Sequence, residues 1–159
     1  MRPFRILLVG HGKLPAALLA SAELIAGPIE DISAISLHAH ETPDHLAAAV
    51  ADAAGRDRRP VLVLTDLQGG TPHNVATALG LRDPRLACVS GVNLAMLLEA
   101  ALGLDRLDGE ALARLVEVGR AAIWASSWRA ASTAPMADGA EAAAPRRRPD
   151  RPDLARRAS

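Results

Sequence analysis

The apolar residues of this chain fall into short continuous runs separated by stretches with helical spacing. Residues 4–9 form the first run and predict a buried strand. Leu14, Leu18, Ala22 and Ile25 then recur on one helical face. Pro15 suits the first turn of that helix, where its missing N–H is harmless, and Gly27-Pro28 stops it. Residues 32–37 predict a second strand. Thr42-Pro43 opens another helix with Thr42 as N-cap, and Gly55 with the charges of 56–59 ends it. Residues 61–64 predict a third strand running into Thr65-Asp66. Thr71-Pro72 repeats the cap-plus-proline start, with Thr71 as N-cap and a helix to about Leu79. A fourth strand is predicted over 85–89, ending in Ser90-Gly91, and a helix over 94–102. Leu112, Leu115, Val116, Gly119 and Ile123 predict a last amphipathic helix after Asp108. Residues 122–127 read as the end of that helix or as a short fifth strand. From about Ala130 the periodicity is lost in Ala, Pro, Arg, Asp and Ser. This predicts a domain over 1–129 and a disordered tail over 130–159.

Strand and helix alternate four times. The expected fold class is α/β: an open, mostly parallel flavodoxin-like sheet with helices on both faces. In the order 2-1-3-4 the strand order reverses between strands 1 and 3, where such sheets bind ligands. His11 follows strand 1 and Asp66 ends strand 3. Neighbouring strands lie ~4.8 Å apart, so this order makes the two residues neighbours.

Both strands break into glycines at that edge: Gly10 and Gly12 around the histidine, Gly69 and Gly70 after the aspartate. A carboxylate that accepts from one imidazole nitrogen fixes the tautomer and leaves a lone pair on the other. That nitrogen can act as base, metal ligand or nucleophile. Glycines let backbone N–H groups approach a ligand closely, Gly12 and Gly70 among them. The helix starting at Pro72 aims its N-terminus at the same crevice, which favours an anion. The Thr71 hydroxyl can donate to that anion. A strand-end histidine can also simply cap a loop; Asp66 and the Gly69-Gly70-Thr71-Pro72 turn favour a phosphate on or beside His11.

Other candidates are weaker. Gln68, His73 and Asn93 are candidate partner contacts near the site, and His73 also reads as a plain surface residue. His38, His40, Asp44 and His45 resemble a His-x-His-x-Asp-His hydrolase motif with two extra residues in its middle. Solvated loop polarity is the preferred reading there, so neither metal nor other cofactor is expected. The start Gly10-His11-Gly12 resembles a dinucleotide fingerprint, but Pro15 replaces its third glycine, and no P-loop triplet exists. Cys88 lies in an apolar strand and reads as an inert core residue.

Composition bounds the rest. A length of 159 residues suits one domain. Half the residues are apolar, with one Phe, two Trp and no Tyr, so the core must be built from Ala, Leu, Val and Ile. Formal net charge is zero. Residues 145–159 hold six Arg and two Asp, whereas nothing earlier suggests a nucleic-acid surface. A single Cys excludes an internal disulfide and fits a reducing compartment. The N-terminal apolar run is too short for a signal peptide, and none approaches the ~18 residues of a membrane span. The expected location is the cytoplasm, without membrane insertion.

Four segments together resemble a known family: Leu8-Val9-Gly10-His11-Gly12 within 6–12, Ser21-Ala22-Glu23-Leu24 within 21–27, the stretch 63–76 around Asp66 and Thr71-Pro72-His73-Asn74, and Ser90-Gly91-Val92-Asn93 within 89–99. In order and spacing over roughly 4–127 the chain is similar to the EIIA component of the mannose class of the bacterial phosphoenolpyruvate-dependent sugar phosphotransferase system (PTS). The resemblance implies that His11 accepts a phosphoryl group from the phosphocarrier HPr and passes it to an EIIB partner. It implies that Asp66 orients and polarises the imidazole and that Thr71 bonds the phosphoryl group. It also implies an open α/β sheet, commonly in a homodimer that exchanges a C-terminal strand, here 122–127. Departures are visible: the family often has Ser where this chain has Gly10, and aromatic or apolar residues where it has Gln68 and His73. No EIIB domain is expected in the remaining residues, so EIIB would be a separate protein or absent. Such EIIA proteins also serve phosphotransfer chains that regulate rather than transport. Two other readings use His11: a small tetrapyrrole chelatase, which shares the Leu8-to-Gly12 start, and a purely regulatory module whose phosphorylation state partners sense.

Overall fold

Continuous apolar runs, unlike alternating ones, call for strands covered on both faces. β1 (Arg5–His11) and β3 (Val61–Thr65) meet that condition, and only His11 at the end of β1 is exposed. They pair in parallel at the centre of a four-stranded sheet. β2 (Ile32–Leu37) and β4 (Leu86–Ser90) flank them and are only partly buried. The order is β2-β1-β3-β4 and every pairing is parallel. The computed structural model describes residues 2–125. The predicted α/β class, strand order and reversal between β1 and β3 are all present.

Side-chain alternation along the strands divides the core in two. Ile6 and Leu8 of β1, with Leu62 and Leu64 of β3, pack against α1 (Leu14–Ala26), α4 (Leu94–Leu98) and α5 (Gly109–Ala121). Leu7, Val9, Val61 and Val63 pack against α2 (Pro43–Gly55) and α3 (Thr71–Gly80). Each fully buried aliphatic side chain contributes about 1.5–3 kcal/mol relative to exposure, so the sheet is fixed from both sides chiefly by aliphatic packing, with Phe4 the one aromatic in the core among the described residues.

Two helix starts follow the sequence rules. Thr42 Oγ1 accepts the His45 N–H at 3.3 Å, with Pro43 next in the chain. Asp108 accepts the Ala111 N–H at 2.9 Å at the start of α5. α3 differs: extended Gly70 is the N-cap and Thr71 is already helical, so the Thr71 hydroxyl is not engaged as a cap. α1 differs as well. It buries Pro15 and Ala22 and packs Leu18 and Leu19 on the core, whereas Leu14 and Ile25 are exposed. Two apolar stripes share this helix, and the sheet takes the one beginning at Pro15, whose Cγ lies against Gly10. α4 is shorter than predicted, because Glu99–Gly103 forms a π-helical turn. Residues 122–125 leave α5 without joining this chain's sheet. The rest of the predicted fifth strand and the predicted tail over 130–159 lie outside the described residues. Among the described residues no helix is long and apolar enough to cross a membrane.

At the N-terminal ends of the strands, charged side chains satisfy one another. Arg59 donates to Asp31 at 2.8 Å, to Asp57 at 2.7 and 2.9 Å, and to the Arg2 carbonyl at 2.8 Å. Arg85 bonds Asp83 at 2.6 Å and the Asp57 carbonyl at 2.8 Å. The hydrogen bond from Arg59 is the largest influence on Asp31 and brings its pKa down to about 2.

Candidate functional site

The opposite edge of the sheet is built differently. His11 closes β1 where Gly12 N–H still reaches back to the Leu37 carbonyl of β2 at 2.9 Å. Asp66 follows the last residue of β3. One carboxylate oxygen of Asp66, Oδ2, meets the His11 ring at Nδ1, 2.9 Å away. The same oxygen accepts the His11 backbone N–H at 2.7 Å. The other oxygen accepts the Leu67 N–H at 2.9 Å. The Asp66 side chain is 10% exposed and that of His11 is 48% exposed. A buried acceptor thus holds a half-exposed ring.

Burial works to raise the Asp66 pKa. The backbone and ring of His11, then the Leu67 N–H, outweigh it and hold the carboxyl below the ordinary carboxylate range. An ionised carboxylate can only accept. Nδ1 must therefore carry the proton, and the lone pair of the imidazole lies on Nε2. Gly70 stands against the ring: a Cβ there would come 3.2 Å from His11 Cε1 and 3.2 Å from the Leu67 carbonyl. Gly10 permits the close approach of Asp66, whose Oδ2 would lie 2.9 Å from a Cβ at that position.

The two glycine amides expected to bind a phosphoryl group are engaged elsewhere. Gly12 N–H donates to Leu37, and Gly70 N–H donates to the Leu67 carbonyl at 3.1 Å. These glycines shape the crevice instead of lining it with donors. What faces an anion there is the first turn of α3, whose N–H groups have no intrahelical acceptor. Thr71 leads that turn, immediately after the glycine that touches the ring. Its hydroxyl is free of a capping role, so it remains available to a ligand.

The candidate partner contacts separate. Gln68 is exposed on the turn. His73 is the third helical residue of α3, and its Nδ1 accepts the Gly69 N–H at 3.1 Å. Asn93 caps α4 by accepting the Met96 N–H at 3.0 Å and donates to the Gly119 carbonyl at 2.8 Å. Both ends of its amide are engaged within the chain, so it ties α4 to α5. His38, His40 and His45 are exposed at the end of β2 and the start of α2. Among the described residues no group of three or more metal-ligating side chains could hold an ion. Cys88 is partly buried on β4, and burial pushes its thiol pKa up, as suits an unreactive residue.

Periodicity did not announce the apolar residues beside the site. Leu14 and Leu67 are 48% and 61% exposed in the segments that carry His11 and Asp66. Helical spacing puts Leu14 on one face with Leu18 and Ala22, both of which pack in the core. A cleft of about 680 Å³ continues from Gln68 and His73 along Ser90, Met96 and Val116 to Arg120.

Over residues 5–117 the chain matches the family model EIIA-man, described as "PTS system fructose IIA component". It is 33% identical over 96 residues to the PTS system fructose-specific EIIA component of Bacillus subtilis strain 168. That match covers 59% of this chain and 66% of the relative, just under two thirds of its length. It is 30% identical over 104 residues to the sorbose-specific EIIA component of Lacticaseibacillus casei, covering 65% of this chain and 75% of the relative. Among solved structures it is similar to the mannose/sorbose specific IIA subunit from Enterococcus faecalis, with a TM-score of 0.74 and 35% identity. That likeness covers 80% of this chain and 96% of the other.

Proposed function

The chain belongs to the mannose-class EIIA family of the phosphoenolpyruvate-dependent phosphotransferase system, and we propose that it carries a phosphoryl group on Nε2 of His11. The observation that carries this reading is the bond from His11 Nδ1 to the ionised, largely buried Asp66 at 2.9 Å. It leaves Nε2 as the nucleophilic nitrogen of a ring that is half open to a partner.

The transfer step balances without a proton moving. The Nε2 lone pair forms a bond to phosphorus as the N–P bond of the donor phosphohistidine breaks. The electron pair of that bond returns to the donor's imidazole. The His11 ring keeps its Nδ1 proton and gains positive charge, which the Asp66 carboxylate stabilises. Thr71 donates to the phosphoryl oxygens from its hydroxyl, beside the N-terminus of α3. Passing the group on reverses these roles.

In this reading phosphorylated HPr is the donor and an EIIB protein the acceptor, in the cytoplasm, for sugar uptake or a regulatory chain. Exposed Leu14 and Leu67 give the docking partners an apolar rim. A second copy of the chain adds its 122–127 segment to the free edge of β4, and residues 1–129 carry the activity. With no proton moving, the transferred unit adds one net negative charge to this edge, a dianionic phosphoryl group on a cationic ring, which a regulatory partner can sense. Family membership favours this reading over the chelatase one.

The protein is incubated with phosphoenolpyruvate, enzyme I and a cognate HPr, and acid-labile, base-stable phosphate is measured. Labelling of the parent chain and none of His11→Ala is expected. Labelling that survives His11→Ala overturns the site, and no labelling of the parent overturns the carrier function. Removal of residues 130–159 is expected to leave labelling intact.

A further inference from the structure

We propose that His73 is a positioning residue for transfer at His11: as a neutral hydrogen-bond acceptor it locks the glycine turn that walls the ring. The inference rests on the reading of His11 as the phosphoryl acceptor and adds a residue that does not touch the reacting atoms.

The lock has two halves, from consecutive residues of α3. His73 Nδ1 lies 3.1 Å from the Gly69 nitrogen. Asn74 Nδ2 donates to the Gly69 carbonyl at 3.1 Å. The N–H and the C=O of one residue are therefore both held by the first turns of the helix. Gly69 has φ +78°, a left-handed conformation that the lock retains. The next residue is Gly70, whose α-carbon faces His11 Cε1. Fixing Gly69 thus fixes the wall of the imidazole and the direction from which Thr71 meets a phosphoryl group.

The two halves differ chemically. The Asn74 amide keeps its donor at any ordinary pH. A backbone N–H can only donate, so Nδ1 of His73 must hold a lone pair, with the ring proton on Nε2. In the imidazolium both ring nitrogens are donors. Protonation sets donor against donor and releases the Gly69 N–H. The titratable groups lining the cleft with the ring are Glu117 and Arg120 of α5, paired with each other at 3.1 Å, and the thiol of Cys88 on β4. Asp66 and His11 lie beyond Gly70 and are bonded to each other.

Two variants separate acceptor from ring. Asn places an oxygen where Nδ1 stands and does not titrate; Phe keeps the ring and removes the acceptor. The Gly69 amide resonance is expected to shift upfield in His73→Phe, where its acceptor is lost, and to stay near the parent position in His73→Asn. At pH 8 transfer from phospho-HPr is expected to slow roughly 3- to 10-fold in His73→Phe, the scale of one hydrogen bond, and to recover most of that loss in His73→Asn. A Gly69 resonance indifferent to His73, or a Phe variant as fast as the parent at pH 8, overturns the proposal. The resonance requires no phosphotransfer. If Gly69 follows His73 but no variant is labelled, the carrier reading has failed and the transfer role falls with it, leaving a purely structural lock.

Discussion

The two ends of one parallel sheet are built on opposite principles. At the N-terminal end, Arg59 and Arg85 are bonded to Asp31, Asp57 and Asp83, and the leftover donors reach backbone carbonyls. At the C-terminal end, Asp66 is bonded fully while the ring it holds is left half exposed. All five histidines of the chain lie at this second end or on the helix turns beside it. The first end pairs these charges with one another; at the second, Nε2 of His11 and the first turn of α3 are left without a partner among the described residues. In open α/β sheets ligands bind beyond the carboxyl ends of the strands, and here the reason is visible in which polar groups remain unpaired.

The sharpest test of that contrast sets one substitution at each end. His11→Ala is expected to abolish phosphorylation and leave the thermal melt near that of the parent, because the ring is half exposed and buries little. Arg59→Ala is expected to do the reverse: a lower urea midpoint with phosphoryl transfer retained. Transfer lost in both, with folding intact, would mean that the two ends are coupled.

A smaller effect is expected from Asp66→Asn. The amide keeps one acceptor oxygen and sets its NH2 against either the Leu67 N–H or the His11 N–H, and the charge that stabilises the imidazolium is gone. Single-turnover transfer from phospho-HPr is expected to slow roughly 10- to 100-fold, the scale seen when the hydrogen-bonded partner of a metal-ligating histidine is lost. An unchanged rate would make Asp66 structural. Gly70→Ala comes next, with a several-fold slowing in the same assay. Its new Cβ would meet His11 Cε1 and the Leu67 carbonyl at 3.2 Å each, so the turn must give way by a few tenths of an ångström.

The mildest test is acid. The folded-state pKa of Asp31 is depressed from 3.8 to about 2, chiefly by Arg59. Its stabilising contribution is fully present above the unfolded value and is lost as pH falls from there through about 2. The urea midpoint of the parent is therefore expected to drop across that window more than that of Asp31→Asn. An equal drop in both would assign the acid sensitivity to other carboxylates, Asp66 among them, whose pKa is also depressed.

Much of this architecture is legible in the chain because it depends on local spacing. The apolar runs at 4–9 and 61–64 have no polar alternation, so they had to be the central strands. Thr42-Pro43 and Asp108 mark helix starts because a side-chain oxygen two or three residues before a free N–H is a local matter. His11 and Asp66 are 55 residues apart, yet strand order alone made them neighbours. The likeness to the EIIA family carried the same pair. Helix facing was less legible. α1 has apolar residues on more than one stripe: of the face that spacing marks, Leu18 and Ala22 pack on the core while Leu14 and Ile25 are exposed, and the sheet takes Pro15 and Leu19 in their place.

The sequence by itself determined the α/β class, the two central strands and the histidine–aspartate pair, since these follow from the periods of the chain and the rules for crossing between parallel strands. Only the tertiary structure decided which hydrogen bonds the glycine turns make. Gly12 N–H goes to β2, Gly70 N–H goes to Leu67, and Gly69 is held by His73 and Asn74. A backbone amide has the same chemistry in every residue but proline, so nothing in its identity says where it points. That is set by how a turn from one strand comes to rest against its neighbours, and those contacts turn a pair of residues into a shaped site.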